Sequence, residues 1–160
     1  MNIRIASEGS SSIDAYASVS IAFEVTSVFD TAHLASGDAR RLVARLLEHP
    51  YIKGGAVVVM NAPDVGMLEG RDDLALLWDL RVAPPFRSGG VGSALVHAAE
   101  ALAASRGARV IKVETQNINV RACRFYASHG FNLRQANAEV YEAMPHEVQL
   151  LWYKSLDKTA

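Results

Sequence analysis

The feature that most restricts the fold is an abrupt change of periodicity between residues 74 and 106. Leu74, Leu76, Trp78, Leu80 and Val82 recur at every second position, a strand pattern with Asp79 and Arg81 on the alternate side. Pro84-Pro85 stops the strand, because proline lacks the N–H that a ladder needs. Arg87-Ser88-Gly89-Gly90-Val91-Gly92 then leads into a run where Val91, Leu95, Ala98, Ala99 and Leu102 recur at helical spacing, closed by Gly107. A strand, a glycine turn and a helix in direct succession call for a sheet with helices packed on it. The turn also sets bare backbone N–H groups at a helix N-terminus, where unpaired donors and the helix dipole favour an anion. Arg87 adds a positive charge able to fork onto phosphate oxygens. The turn alone is equally compatible with a change of chain direction that carries a surface arginine.

The remaining pattern predicts where neighbouring elements lie. Residues 2–5 read as a short strand, 9–12 as a small-residue loop and 13–20 as a weak helix. Ile21, Phe23, Val25 and Phe29 share one side at period two, which suits an extended element. Ser36 is placed to cap a helix reaching residue 48, with Leu42, Val43, Leu46 and Leu47 on one face and Pro50 beyond its end. Gly54-Gly55 opens a β-rich centre, with strands predicted over 56–60 and 65–69 and a turn between them. Downstream the pattern predicts a strand over 109–115, a helix over 119–128 ended by Gly130, a strand from 131 to 135 extending towards Tyr141, and a strand over 148–154. This order predicts one α/β domain over residues 1–160, built on a mixed, mostly antiparallel sheet with flanking helices.

Composition removes several function classes. The 160 residues carry a formal net charge of −1, which gives no basic field for nucleic acid, so neither DNA nor RNA is expected as a partner. Met1-Asn2-Ile3-Arg4 has no signal-peptide pattern and the apolar runs are shorter than a membrane span, so a cytoplasmic protein with no membrane partner is expected. Cys123 is the one cysteine, and His33, His49, His97, His129 and His146 are scattered, so no metal is expected. A nucleotide-triphosphate loop needs GxxxxGK, and no lysine lies in or near the turn. A dinucleotide fingerprint fails where Gly90-Val91-Gly92-Ser93-Ala94 ends in Leu95; Glu114, near the place of a ribose-binding acid, leaves that reading as a distant alternative.

Two motifs in order narrow the ligand. Leu80-x-Val82-x-Pro84-x-x-Arg87-x-x-Gly90-x-Gly92 resembles the coenzyme A-binding motif of the GNAT family of N-acetyltransferases. Asn119-x-x-Ala122-x-x-Phe125-Tyr126-x-x-x-Gly130-Phe131 resembles the family's second motif. Phe23-Glu24-Val25, Glu114-Thr115-Gln116, Ala122-Cys123-Arg124-Phe125-Tyr126 and Trp152-Tyr153 are similar to streptothricin acetyltransferases. The resemblance implies a GNAT fold with a splayed parallel strand pair, acetyl-CoA as co-substrate, a small-molecule primary amine as acceptor, and a homodimer. It further implies that backbone groups of Leu80, Arg81 and Val82 pair with pantetheine as an added strand, with the oxyanion held by the N–H near Val82. The N–H groups of Ser88, Gly89, Gly90, Val91, Gly92 and Ser93 would hold the pyrophosphate beside Arg87, and Asn119 would contact the pantetheine arm or cap its helix.

By the same resemblance Tyr126 would protonate the departing thiolate, the alternative being a tyrosine packed on its helix with an exposed hydroxyl. Cys123 reads better as a small buried hydrophobe than as a nucleophile, since the amine can attack directly. An alkyl ammonium must lose a proton before it attacks, to a carboxylate or a water chain; Asp79 and Glu114 are the candidate carboxylates, each equally readable as a strand-end surface charge or an ion-pair partner. Asp72, Asp73, Asp79, Glu114, Glu139, Glu142 and Glu147 are candidates for an acidic acceptor mouth, and Trp78, Tyr141, Trp152 and Tyr153 for an aromatic wall. A non-catalytic acyl-CoA-binding module, and transfer to a peptide or protein amine, are the competing functions.

Overall fold

The computed structural model describes residues 3–8, 40–46, 52–145 and 147–157, with side chains from Gly54 onward. Its strands are β1 (Ile3–Glu8), β2 (Arg40–Leu46), β3 (Ile52–Val59), β4 (Leu74–Val82), β5 (Val110–Gln116), β6 (Asn132–Asn137) and β7 (Gln149–Ser155). The helices are α1 (Val91–Ser105) and α2 (Val120–Ser128). All seven strands form one sheet in the order β1-β2-β3-β4-β5-β7-β6, and the only parallel pair among them is β4 with β5. The expected mixed α/β architecture is present. A doubly wound dinucleotide fold, which needs a sheet of several adjacent parallel strands, is not, because among the described strands β4 with β5 is a lone parallel pair and β4 runs antiparallel to β3.

Two local expectations are corrected. Residues 40–46 form β2 and not a helix, and β2 is bonded on both sides, to β1 and to β3. The spacing of Leu42, Val43 and Leu46 fits a helix locally, but a ladder on each side, one to β1 and one to β3, gives its backbone groups the partners that a helix would have supplied within itself. Residues 65–69 form a single 3-10 turn, Gly66–Leu68, and not a strand. Its bonds run Leu68 N to Val65 O at 2.9 Å and Glu69 N to Gly66 O at 3.0 Å, and Glu69 leaves it at φ 56°. The expected elements within 9–39 lie outside the described residues, and β6 stops at Asn137, leaving Tyr141 in the connection to β7.

A bulge decides how β4 faces its neighbours. Val57 is opposite Asp79 and Val58 opposite Leu77, so Trp78 is the extra residue. The unbroken alternation from Leu74 to Val82 therefore does not share one face. Leu74, Leu76 and Trp78 pack with Val57, Val59 and Leu68, whereas Leu80 and Val82 pack with α1 and α2 in the larger core. That core is closed by Val91, Leu95, Val96, Ala99 and Ala103 of α1, a single helical stripe. On the opposite face Lys112, 2 % exposed, donates from Nζ to Met67 O at 2.9 Å and to Glu69 Oε1 at 2.7 Å, latching the 3-10 turn to the sheet.

Candidate active site

The site begins where β4 and β5 part. Their ladder covers Leu74 to Leu77 against Val110 to Val113 and goes no further, yet β4 stays on β3 through Val82 and β5 stays on β7 through Gln116. The sheet thus opens into a wedge walled by residues 78–82 and 114–116. Glu114 is the first β5 residue past the last paired position, with Trp78 and Asp79 starting the other wall.

At the far end of β4 the chain passes through a 3-10 turn (Pro84–Phe86) into the glycine segment. Ser88 and Gly90 both take positive φ, 62° and 84°, and the first α1 bond runs from Ala94 N to Gly90 O at 3.0 Å. Gly90 caps α1 without a side chain, so the N–H groups of its first turn meet no capping oxygen. Ser88, Gly89 and Gly90 are exposed. Gly92 lies close under Phe125: a Cβ there would sit 3.3 Å from Phe125 Cζ, so the ring would have to give way by a few tenths of an ångström. Arg87 folds back, its Nε donating to Val82 O at 3.0 Å, so it fastens the turn to the strand end as well as charging it.

The second motif closes over this turn. Asn119 Oδ1 accepts from Ala122 N at 3.0 Å, so Asn119 caps α2. Arg121 Nη2 donates to Ser88 Oγ at 3.3 Å, bringing a second cation to the glycine segment that the sequence had not singled out. His129 Nδ1 is 2.7 Å from Phe125 O, which requires the proton there; in the neutral ring Nε2 then accepts from Ser93 Oγ at 2.9 Å. The hydroxyl of Ser93 is thereby engaged, leaving its backbone N–H to the helix terminus.

Tyr126 is buried, at 7 % exposure, between the rings of Phe125 and Phe131. Among the described residues its hydroxyl has no hydrogen-bond partner. Burial first, and the Asp79 charge second, push its pKa upward, so the phenol is protonated throughout the working range. Asp79 itself is paired with Arg81 Nε at 2.5 Å, both side chains being partly buried. Glu114 is held otherwise: Oε1 accepts from Tyr141 Oη at 2.5 Å and Oε2 from Gln149 Nε2 at 2.8 Å. Gln149 Oε1 in turn accepts from Asn137 Nδ2 at 2.8 Å.

Cys123 is half-buried, not fully buried as expected. Trp152 Nε1 donates to Thr115 Oγ1 at 2.9 Å, so the threonine O–H is directed at Cys123 Sγ, 3.4 Å away, and the S–H faces Gln116 O at 3.7 Å.

Two expected groupings do not assemble. Trp152 is in the core below Thr115, Trp78 and Tyr153 pack with the second core on the opposite face, and Tyr141 is bound to Glu114, so the four aromatics make no common wall. Asp73 is bound by Arg71 through two bonds of 2.9 and 3.0 Å and, with Asp72, precedes β4 at the end away from the wedge. Among the described residues no group of histidine, cysteine and carboxylate side chains is arranged to hold a metal, and no helix is long and apolar enough to cross a membrane.

Comparison with known proteins agrees with this geometry. Residues 22–131 match the acetyltransferase (GNAT) family. Streptothricin acetyltransferase A of Bacillus subtilis is 38% identical over 81 residues, 49% of this chain and 47% of that protein. The matched segment spans about half the length of the curated relatives. Among solved structures, a candidate streptothricin acetyltransferase from Bacillus anthracis in complex with acetyl coenzyme A superposes with TM-score 0.76 at 21% identity, covering 96% of this chain and 99% of that one. The ribosomal-protein-S18-alanine N-acetyltransferase of Escherichia coli superposes with TM-score 0.77 at 18% identity, covering 99% and 97%. These likenesses extend the shared fold over nearly the whole chain, and the family match covers the wedge, the glycine segment and α2: the chain belongs to the acetyltransferase (GNAT) family.

Proposed function

We propose that the chain transfers the acetyl group of acetyl-CoA to a primary amine of a small molecule, with a streptothricin-like antibiotic as the acceptor class that the names of its relatives indicate. The observation that supports this most is the wedge: a strand edge opens on one side to a helix N-terminus with no side-chain cap and on the other to a buried phenol that has no hydrogen-bond partner among the described residues. An extended pantetheine arm fits beside β4 as an added strand on the backbone of Leu80, Arg81 and Val82. The N–H groups from Ser88 to Ser93 suit the pyrophosphate, with Arg87 near the strand end and Asn119 at the start of α2.

In the reaction the amine nitrogen attacks the acetyl carbonyl carbon, the C–N bond forms, and the C–S bond then breaks. The amine loses one proton and the sulfur gains one. For the first transfer, Asp79 and Glu114 differ in a way that composition could not reveal. The charge of Asp79 is already matched by Arg81, and a proton taken there would disrupt that pair. Glu114 is held by two neutral donors, and among the described residues no cation pairs with it, so Glu114 is the base of choice. Asp79 then acts through its field, adding to the burial that keeps Tyr126 protonated. Desolvation that raises the phenol also raises the proton affinity of the thiolate leaving group, so the two remain matched for transfer.

Thermal-shift titration with acetyl-CoA and with NAD, followed by a thiol-release screen of streptothricin, spermidine and an alanine-terminated peptide, tests this reading. Stabilisation by acetyl-CoA with turnover of streptothricin is expected. Stabilisation without turnover of any amine would leave a binding module, and turnover of the peptide alone would move the acceptor to proteins. Sedimentation of the same samples tests the homodimer.

A further inference from the structure

Glu114 is held from outside its own strand, and the donors are what tie the β6–β7 connection to the site. Tyr141 belongs to the segment 138–148, 27 residues from Glu114 in sequence, and Gln149 starts β7, 35 residues away. Tyr141 is pushed to remain a phenol by its burial and then by the adjacent carboxylate, so it can only donate to Oε1. Gln149 is 8 % exposed, and Asn137 occupies its carbonyl oxygen, which fixes the amide so that the NH2 group points at Oε2. The carboxylate therefore has both oxygens fixed and its plane set, while each oxygen keeps a lone pair for a further proton. Free rotation of a glutamate at a strand end would spread that lone pair over several directions.

We propose that Tyr141 is a positioning residue for Glu114, aiming the carboxylate at the acceptor amine and coupling it to the connection between β6 and β7, with Gln149 as its second fixed donor. This rests on the reading of Glu114 as proton acceptor given above. Tyr141 does not touch the reacting atoms. Its contribution exists only while Glu114 is a carboxylate that must be aimed, and that gives it a signature which a merely structural tyrosine lacks.

The test is a double-substitution cycle on the whole chain, using Tyr141→Phe, Glu114→Gln and the pair, with whichever of streptothricin, spermidine or the alanine-terminated peptide is acetylated fastest. Tyr141→Phe is expected to lower kcat roughly tenfold with the KM for acetyl-CoA unchanged. In the Glu114→Gln background the same change is expected to alter kcat by less than about twofold. An equal loss in both backgrounds, or no loss in either, overturns the proposal. Gln149→Glu guards against misfolding: it keeps the volume but sets a like charge against Glu114, and a drop in kcat with acetyl-CoA binding intact supports the positioning role, whereas full kcat argues against it. Failure of the wider reading shows separately, as no thermal stabilisation of the unsubstituted chain by acetyl-CoA. If acetyl-CoA binds but no amine is acetylated, the coupling proposed here is wrong as well.

Discussion

At the glycine turn the groups facing the wedge are backbone N–H donors, presented by positive φ at Ser88 and Gly90 and by a helix cap with no side chain. At the opposite wall the groups are side chains from β5, β6, β7 and the β6–β7 connection, joined by hydrogen bonds spanning 12 to 35 residues. The first end is generic, because any chain able to adopt those dihedral angles presents the same donors. The second is particular to this chain, because each group needs its partner. A backbone-built end suits a co-substrate shared across a family, and a side-chain-built end suits an acceptor that varies from one member to another.

The sharpest break between the ends should come at Tyr126, which lies between them. Tyr126→Phe removes only a hydroxyl that bonds nothing among the described residues, and is expected to lower kcat by about 10²–10⁴ while the thermal shift with acetyl-CoA is retained. Undiminished turnover across the pH range would remove the phenol from the mechanism. The next effect is at Gly90. Gly90→Ala meets nothing within 4 Å, so its cost is the φ of 84° alone, about 1–2 kcal/mol, seen as a lower Tm and weaker acetyl-CoA binding with the KM for the amine unchanged.

A third effect lies away from both ends and serves as their control. Hydrogen bonds from Lys112 and then Tyr153 depress the pKa of Glu69 below its ordinary value of 4.5. The folded state therefore binds fewer protons, so this stabilisation is present above that pH and is lost as pH falls through the lower folded value. Tm should decline on acidification in that window, and Glu69→Gln should flatten the decline without changing kcat near neutrality. The smallest effect is at Ser88, where only the backbone is asked to act. Ser88→Gly suits the φ of 62° and should move acetyl-CoA binding by less than about 0.5 kcal/mol. A loss as large as that of Gly90→Ala would show that side chains, through the Arg121 bond to Ser88, build this end as well.

The glycine end was legible in the sequence because its signals are local. Proline, glycine and helical spacing within residues 74–106 predict a strand, a turn and a helix, and the structure has all three with β4 at the predicted bounds. Asn119 as a helix cap was readable for the same reason. The acceptor end was legible only as candidates. Asp79 and Glu114 looked alike as strand-end carboxylates until Arg81 was found against one, and Tyr141 with Gln149 against the other. Tyr141 stood out as an aromatic residue, but nothing near it in the chain indicates its partner. Residues 40–46 show the same limit in the fold: a pattern that fits a helix locally became β2 because β1 and β3 supply ladders that the segment cannot announce.

The sequence by itself determined the order of the central elements, the glycine-built helix terminus and the family of the chain, since each depends on neighbours within a few turns or on motifs at set spacing. The tertiary structure decided where β4 leaves β5, which way β4 faces on either side of Trp78, and which carboxylate is paired with a cation and which is held by neutral donors. Those depend on ladders, a bulge and hydrogen bonds between segments far apart in the chain. Periodicity records how a segment faces a core, but not which distant group it meets there.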